Sequence, residues 1–334
     1  MRRVTSHDVA RAAGVSQSTV SRALRDDARL SLETRDRVKA TARSLGYVAS
    51  RRGRSLSTRS TGQVGVVVSD LGNPFYMEAL EHLYRELEQQ GYSLLTLADP
   101  PDAPPLSVER LVDGGIDGVI LMTTVVGAEL PRQLAERGLP TVLFNRVVDD
   151  EVTDAVESDN AQGARLIAEE LLRLGHRAIG AIFGPADTTT GRDRERAFRA
   201  ALAEGGQPLA DERARRGPFT HESGHRAFTE LTAAPEPPTA IFCGNDVIAL
   251  GALNAAAGAG VAVPGDVTVF GFDDIEMAAW EVYRLSTVRQ DLSAMAAAAI
   301  SMLLSRIADP DLPLRRERIP TRLVLRASHA APAH

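Results

Sequence analysis

The 334 residues are 44% hydrophobic and 25% charged, a balance that fits a globular chain of two or three domains. A single cysteine, Cys243, excludes a disulfide framework and any multi-cysteine zinc or iron–sulfur site. The net charge of −6 is unevenly spread: residues 1–60 hold 14 Lys and Arg against 5 Asp and Glu, which leaves 24 basic and 39 acidic residues to the remainder. A basic head on an acidic body suits a polyanionic partner met at one end only, with a solvated basic face as the alternative on composition alone. The first residues hold no apolar core of signal-peptide length, and no run of about 18 apolar residues occurs. A reducing, cytoplasmic compartment without membrane insertion is therefore the expectation.

The head reads as three short helices. Thr5 or Ser6 caps the first, whose Val9, Ala10 and Ala13 share a face and which Gly14 ends. Ser16 caps the second, with Val20, Ala23 and Leu24 inward. Ser31 caps the third, where Val38, Ala42 and Leu45 repeat at helical spacing before Gly46. Three small helices with a tight turn after the first make a helix-turn-helix head over 1–49. Residues 50–61, SRRGRSLSTRST, lose the apolar period and turn basic, as a linker does.

From Gln63 the pattern changes to short apolar runs alternating with amphipathic helices. The predicted strands are 64–68, 93–97, 118–121, 141–144, 178–183, 240–242 and 267–272; helices are predicted at 75–90, 129–137, 161–174, 193–204, 223–231 and 246–257. Alternation of this kind, with unbroken apolar strands, implies α/β architecture with parallel sheets covered on both faces. The stretch exceeds one comfortable doubly wound domain, so two lobes are expected, each with a ligand edge at its strand C-terminal ends. The segment 98–114 is short and proline-rich, which predicts a truncated helix there.

On the second helix, Gln17, Ser18 and Arg22 project opposite the apolar stripe. Amide and guanidinium groups can bridge paired atoms on base edges in a major groove; Thr19 and Ser21 suit phosphate contacts, which position without reading sequence. The alternative is a polar face turned to water.

The run VTSHDVARAAGVSQSTVSRAL, with LGYV closing the third helix, resembles the DNA-binding head of the lactose-repressor (LacI/GalR) family of bacterial transcription regulators. The similarity continues through SDLGNPFY, GIDGVIL, SDNAQGARLIAEELLRLGHRAIG, FCGNDVIALGAL, VFGFDD and STVRQDL. The resemblance implies an N-terminal all-α helix-turn-helix head plus hinge, and a two-lobed periplasmic-binding-protein-like body over 62–334 with two parallel sheets. Lobe one would comprise 62–160 and 291–320, and lobe two 161–290 and 321–330. It implies DNA contacts from Thr5, Ser16, Gln17, Ser18, Thr19, Ser21 and Arg22. In the hinge, 50–61, Leu56 would wedge into the minor groove while Arg51 and Arg54 neutralise phosphates. Ala49-Ser50 and Gly53 depart from the family's usual hinge, and Gly53 weakens a helix by about 1 kcal/mol relative to alanine.

For the effector cleft the resemblance implies Asn73, Phe75, Tyr76, Asn145, Arg146, Arg192, Asn245, Asp273 and Gln290, with Phe219 and Trp280 as further stacking walls. Amides, arginines and a carboxylate offer directional bonds to a sugar or polyol, and aromatic planes cover its apolar face. Asn73 and Asn245 also read as helix caps, and Asp274 competes with Asp273 for the ligand role. Asn145 stands where sugar-responsive members often carry aspartate. His176 and Cys243 read as structural. The expectation is a homodimeric, ligand-gated regulator of double-stranded operator DNA, most simply a repressor of carbohydrate genes, with no cofactor or metal. A transport-type sugar-binding module explains the body but not the basic head. No P-loop, nucleophile elbow or H-E-x-x-H motif supports an enzyme, and the only lysine, Lys39, lies in the head.

Overall fold

The computed structural model describes residues 4–24, 26–47, 60–99, 106–113 and 115–333. The expected hinge residues Arg51, Arg54 and Leu56 lie outside these. The chain divides into two compact units, Met1–Thr61 and Gly62–His334.

In the first unit α1 (Ser6–Ala13), α2 (Gln17–Ala23) and α3 (Leu32–Ser44) pack Val9, Ala13, Val20, Ala23, Val38 and Ala42 into one small core. Each helix opens on the hydroxyl cap its sequence announces. Thr5 accepts from the Asp8 backbone N–H while the Asp8 carboxylate accepts from that of Thr5, a reciprocal capping box; Ser16 and Ser31 cap α2 and α3. Gly14 ends α1 at φ 65°, a left-handed turn that a side chain would disfavour by about 1–2 kcal/mol. That turn starts the tight α1–α2 connection.

The second unit contains two parallel sheets. The strands β1 (Gln63–Val68), β2 (Ser93–Ala98), β3 (Gly118–Leu121), β4 (Thr141–Phe144), β5 (Asp154–Ser158) and β11 (Arg316–Ile319) form the first, in the order β11-β5-β4-β3-β1-β2. It is flanked by α4 (Pro74–Gln89), the short α5 (Val108–Val112), α6 (Leu130–Glu136) and α11 (Leu292–Ala308). In the second sheet, β6 (Ile179–Phe183), β7 (Ala214–Arg216), β8 (Ala240–Cys243) and β9 (Thr268–Phe270) run in the order β7-β6-β8-β9. Around it lie α7 (Asn160–Arg173), α8 (Thr189–Glu204), α9 (His221–Thr232) and α10 (Asp246–Ala259). The strands β10 (Thr287–Arg289) and β12 (Arg322–Val324) pair antiparallel beside α7. The chain thus passes between the sheets after β5, after β10 and after β11.

Several readings change, and the short strands β7, β10, β11 and β12 lie outside the predicted set. The helix expected at 193–204 begins at Thr189, because Thr188 caps it through the Gly191 N–H. The strand Asp154–Ser158, DAVES, is absent from the predicted set, and so is α11, an alanine-rich helix whose Leu292, Met295, Ala299 and Leu303 are buried. His176 and Cys243 sit in structural places: the imidazole bonds Thr239 and the Ala330 carbonyl, and Cys243 is buried in β8 with burial pushing its thiol pKa up.

Candidate functional site

In the head, α2 spends its buried face on Val20 and Ala23 and leaves Gln17, Ser18 and Arg22 exposed. Ser16 is occupied as the cap, accepting from the Thr19 N–H at 3.1 Å, and its hydroxyl also bonds those of Ser18 and Thr19. Gln17 reaches the Ser6 hydroxyl at 3.2 Å, so its amide is anchored across the α1–α2 turn. Thr5 serves the α1 cap, and Ser21 is half-buried on the same side as Gln17.

In the body, the polar residues gather where parallel strands end, at the C-terminal edges of both sheets. Asn73 follows β1, Asn145 and Arg146 follow β4, Phe219 follows β7, Asn245 follows β8 and Asp273 follows β9. Together with Phe75, Tyr76, Thr190 and Arg194 they line one small pocket. Two of its edges carry non-glycine residues at positive φ, Asn145 at 68° after β4 and Asp273 at 128° after β9, the latter followed by Asp274 at 60°. Such conformations cost about 1–3 kcal/mol each and persist where surrounding bonds enforce them. Here the Asn145 N–H is held by the Val156 carbonyl and that of Asp273 by the Val288 carbonyl.

The two asparagines are helix caps that also line the pocket. Asn73 accepts from the Phe75 N–H at 3.1 Å and Asn245 from the Ile248 N–H at 2.9 Å, leaving each amide NH2 for the pocket both residues line. Asp273 is the pocket carboxylate; Asp274 is turned to Arg289 and Arg326. Phe75 and Tyr76 meet edge to face at 5.5 Å, and the Arg146 guanidinium lies 5.9 Å from the Tyr76 ring centre and 5.5 Å from that of Phe219.

The pocket arginine of α8 is Arg194, not the expected Arg192. Arg194 is 3% exposed, donates to the Asn160 side chain and the Gly244 carbonyl at 2.7 Å each, pairs with Asp273 at 3.2 Å and lies 3.7 Å over the Phe272 ring. Two residues along a helix turn a side chain by about 200°. With the inward stripe running Thr190, Arg194, Phe198, all buried, Arg192 faces away and grips Asp149 through two bonds of 2.7 and 2.8 Å. The i, i+4 spacing of Thr190, Arg194 and Phe198 is the signal that identifies the inward arginine, once the helix is seen to begin at Thr189. Arg192–Asp149 joins the β4 side of the cleft to the α8 side. The Val126 N–H bonds the Asp187 carbonyl at 2.7 Å and the Val147 N–H bonds the Thr189 hydroxyl at 3.2 Å along the same edge.

Two more expectations move. Trp280 is 48% exposed and does not line the pocket; it closes a 3-10 turn, Glu276–Ala279, whose Glu276 N–H bonds Glu78 of α4. Gln290 is buried behind the pocket, accepting from the Ser158 hydroxyl at 2.5 Å and donating to Asp273 at 2.7 Å. It holds the pocket carboxylate from behind and is not itself part of the pocket lining.

Beneath the pocket, Asp246 accepts from the Ile275 N–H at 3.0 Å and the Thr287 hydroxyl at 2.5 Å. Burial, reinforced by the charge of Asp273, pushes its pKa up to about 8, and burial likewise raises Asp273 against the pull of Arg194. A carboxyl raised on folding keeps its proton in the folded chain after the unfolded chain has released it, so its contribution becomes less favourable as pH climbs from about 4 towards 8. Wild-type stability is expected to fall over that window relative to Asp246→Asn, measured by denaturant unfolding at several pH values. A pH-independent difference between the two proteins would count against the raised carboxyl.

Among the described residues, no group of His, Cys, Asp and Glu is arranged to hold a metal, and no helix is long and apolar enough to cross a membrane. Residues 5–50 match the family described as bacterial regulatory proteins, lacI family, and residues 168–329 match the periplasmic binding protein-like domain. The chain is 33% identical to the ribose operon repressor of Escherichia coli (strain K12), over 97% of this chain and 99% of that protein. Among solved structures it is similar to a transcriptional regulator CelR–cellobiose complex (31% identity, TM-score 0.74, covering 98% of this chain and 100% of the other). It is also similar to the lac repressor dimer bound to operator and the anti-inducer ONPF (26% identity, TM-score 0.84, covering 99% and 100%).

Proposed function

The chain belongs to the lacI family of bacterial regulatory proteins, and from that premise we propose that it is a dimeric repressor of carbohydrate genes whose hold on operator DNA is set by a sugar-like effector. The observation that carries the DNA half is the exposed face of α2, where Gln17, Ser18 and Arg22 stand together on a helix whose caps and core are already satisfied. Two heads of a symmetric dimer would read two half-sites. Thr5, Ser16, Thr19 and Ser21 would position the head, and Arg51, Arg54 and Leu56 would complete the contact from the hinge. The basic head and a DNA target support a cytoplasmic location, and a family of regulatory proteins supports a role without enzymatic turnover.

The effector half rests on the pocket between the two sheets. Asn73, Asn145, Arg146, Arg194, Asn245 and Asp273 supply the polar contacts, and Phe75, Tyr76 and Phe219 the aromatic walls. Its residues come from both lobes, so an effector that bonds both changes the balance between open and closed forms. Such coupling is typically about 1–3 kcal/mol and acts equally on DNA and effector binding.

The test is to pass sheared genomic DNA over the purified protein at near-physiological salt and sequence what is retained. A few palindromic sites are expected, and Arg22→Ala should weaken binding to them by about 1–3 kcal/mol, the worth of a bidentate base contact. Retention without sequence preference that vanishes as salt rises would reduce the head to phosphate attraction.

A further inference from the structure

The polar pocket is too small to hold a sugar ring by itself: its free volume is about 20 Å³, close to what one water needs. Two of its groups nevertheless lack partners. The Asn145 side-chain oxygen, on a residue 4% exposed, and the Arg146 Nε–H are both buried without a hydrogen bond. An acceptor and a donor orphaned on adjacent residues are the pair that a hydroxyl satisfies, since a hydroxyl both gives and takes a hydrogen bond.

Arg146 is also a wall of a second, much larger cavity. This chamber, of about 740 Å³, lies on the other side of Arg146 at the ends of β1 and β3, within the range of about 300–1,000 Å³ usual for ligand pockets. Its apolar surface comes from Val67, Leu106, Leu121 and Leu130, and Ser69, Thr124 and Gln133 place bonding groups among them. Asp187 and Thr188 close it from the α8 side. A floor of aliphatic side chains with scattered hydroxyl and amide groups suits a ring that is apolar on its faces and polar at its edge.

We infer that the effector is an elongated glycoside of at least two rings: the hydroxyl end of one ring engages Asn145 and Arg146, and the second ring occupies the chamber beyond Arg146. The inference rests on the sugar-effector reading above and narrows it. A single pentose or hexose that satisfied the orphaned pair would leave most of the chamber as water against aliphatic walls. A second ring displaces that water and buries apolar surface.

The experiment is isothermal titration of the full-length protein with glucose, galactose and ribose, and with cellobiose, lactose and maltose. At least one disaccharide is expected to bind at least tenfold more tightly than any of the monosaccharides. Val125→Trp narrows the chamber at a half-exposed position on its rim, and Gln133→Trp does so from α6. In whichever variant retains wild-type operator binding, disaccharide affinity should drop at least tenfold while monosaccharide affinity stays within twofold. A monosaccharide that binds as tightly as every disaccharide, with both variants unaffected, overturns the two-ring inference and leaves a sugar effector standing. If none of the six sugars binds a protein that still retains its operator, the sugar reading and this inference fall together.

Discussion

Arg194→Ala is expected to abolish the effector response and to lower the stability of the body by about 3–5 kcal/mol, the range for removing one partner of a buried ion pair. The guanidinium is enclosed on every side: Asn160, Gly244 and Asp273 take its donors and Phe272 covers its face. Truncation leaves the Asp273 carboxylate buried with Gln290 as its remaining side-chain donor and strips two acceptors of their bonds. Arg192→Ala makes the internal control, because its partner Asp149 is exposed and surface pairs are worth about 0–1 kcal/mol. Denaturant unfolding measures the stability, and operator release by effector measures the response. Asp273→Asn added to Arg194→Ala should recover part of the lost stability by removing the stranded charge. If Arg194→Ala unfolds like wild type while Arg192→Ala loses the effector response, the assignment of the two arginines is reversed.

The comparison between those arginines also shows how far the sequence carries the site. The motif GRDRER announces an arginine at the cleft, but choosing between neighbours depends on the phase of the helix, and the phase depends on where it starts. Thr188 fixes the start through a bond to the Gly191 N–H, a contact that the sequence suggests no more strongly than it suggests a cap at Thr189 or Thr190. Asn73, Asn145, Asn245 and Asp273, which the family resemblance implies, each follow an apolar strand and are brought together in one pocket. Phe219 and Trp280 are offered alike as stacking walls by residue type, and only the fold separates them, bringing Phe219 to the pocket and leaving Trp280 48% exposed. Asp273 and Asp274 differ only in the direction the backbone gives them, and two distant arginines, Arg289 and Arg326, settle which one turns away from the pocket.

The same limit governs the fold. Strands such as Gly118–Leu121 and Thr141–Phe144 are unbroken apolar runs, buried at every position, and they announce a parallel sheet. The alanine-rich Leu292–Ala308 escapes because small residues blur the apolar stripe, although its buried positions recur at helical spacing. The chamber beside Arg146 is legible in no motif at all: its lining is ordinary strand-end and helix-start aliphatic residues, and only their convergence makes a cavity.

Asp154 carries the second large effect, and explains why β5 does not read as a strand. DAVES places two carboxylates inside a sheet, yet Asp154 and Glu157 are almost wholly buried. Arginines from about 150 residues further on neutralise them, a long-range pairing that no local pattern contains. Arg306 of α11 grips Asp154 at 3.1 and 3.2 Å, and Arg315 reaches the same carboxylate through its backbone N–H at 2.8 Å and its guanidinium at 3.3 Å. Arg316 and Arg318 of β11 serve Glu157, in register with their parallel neighbours Ala155 and Glu157. These bonds pin the edge strand β11, and with it the last passage of the chain between the sheets. Asp154→Ala is therefore expected to cost about 3–5 kcal/mol, because Arg306 is left nearly buried without its anion. Asp154→Asn should cost less, since it keeps an acceptor for one of the donors. Amide exchange should speed up first in 316–319 and only afterwards in the central strands, because edge pairing is the part that depends on this carboxylate. A loss below about 1 kcal/mol for Asp154→Ala, the range of a surface pair, would falsify the claim that this cluster holds the edge strand in place.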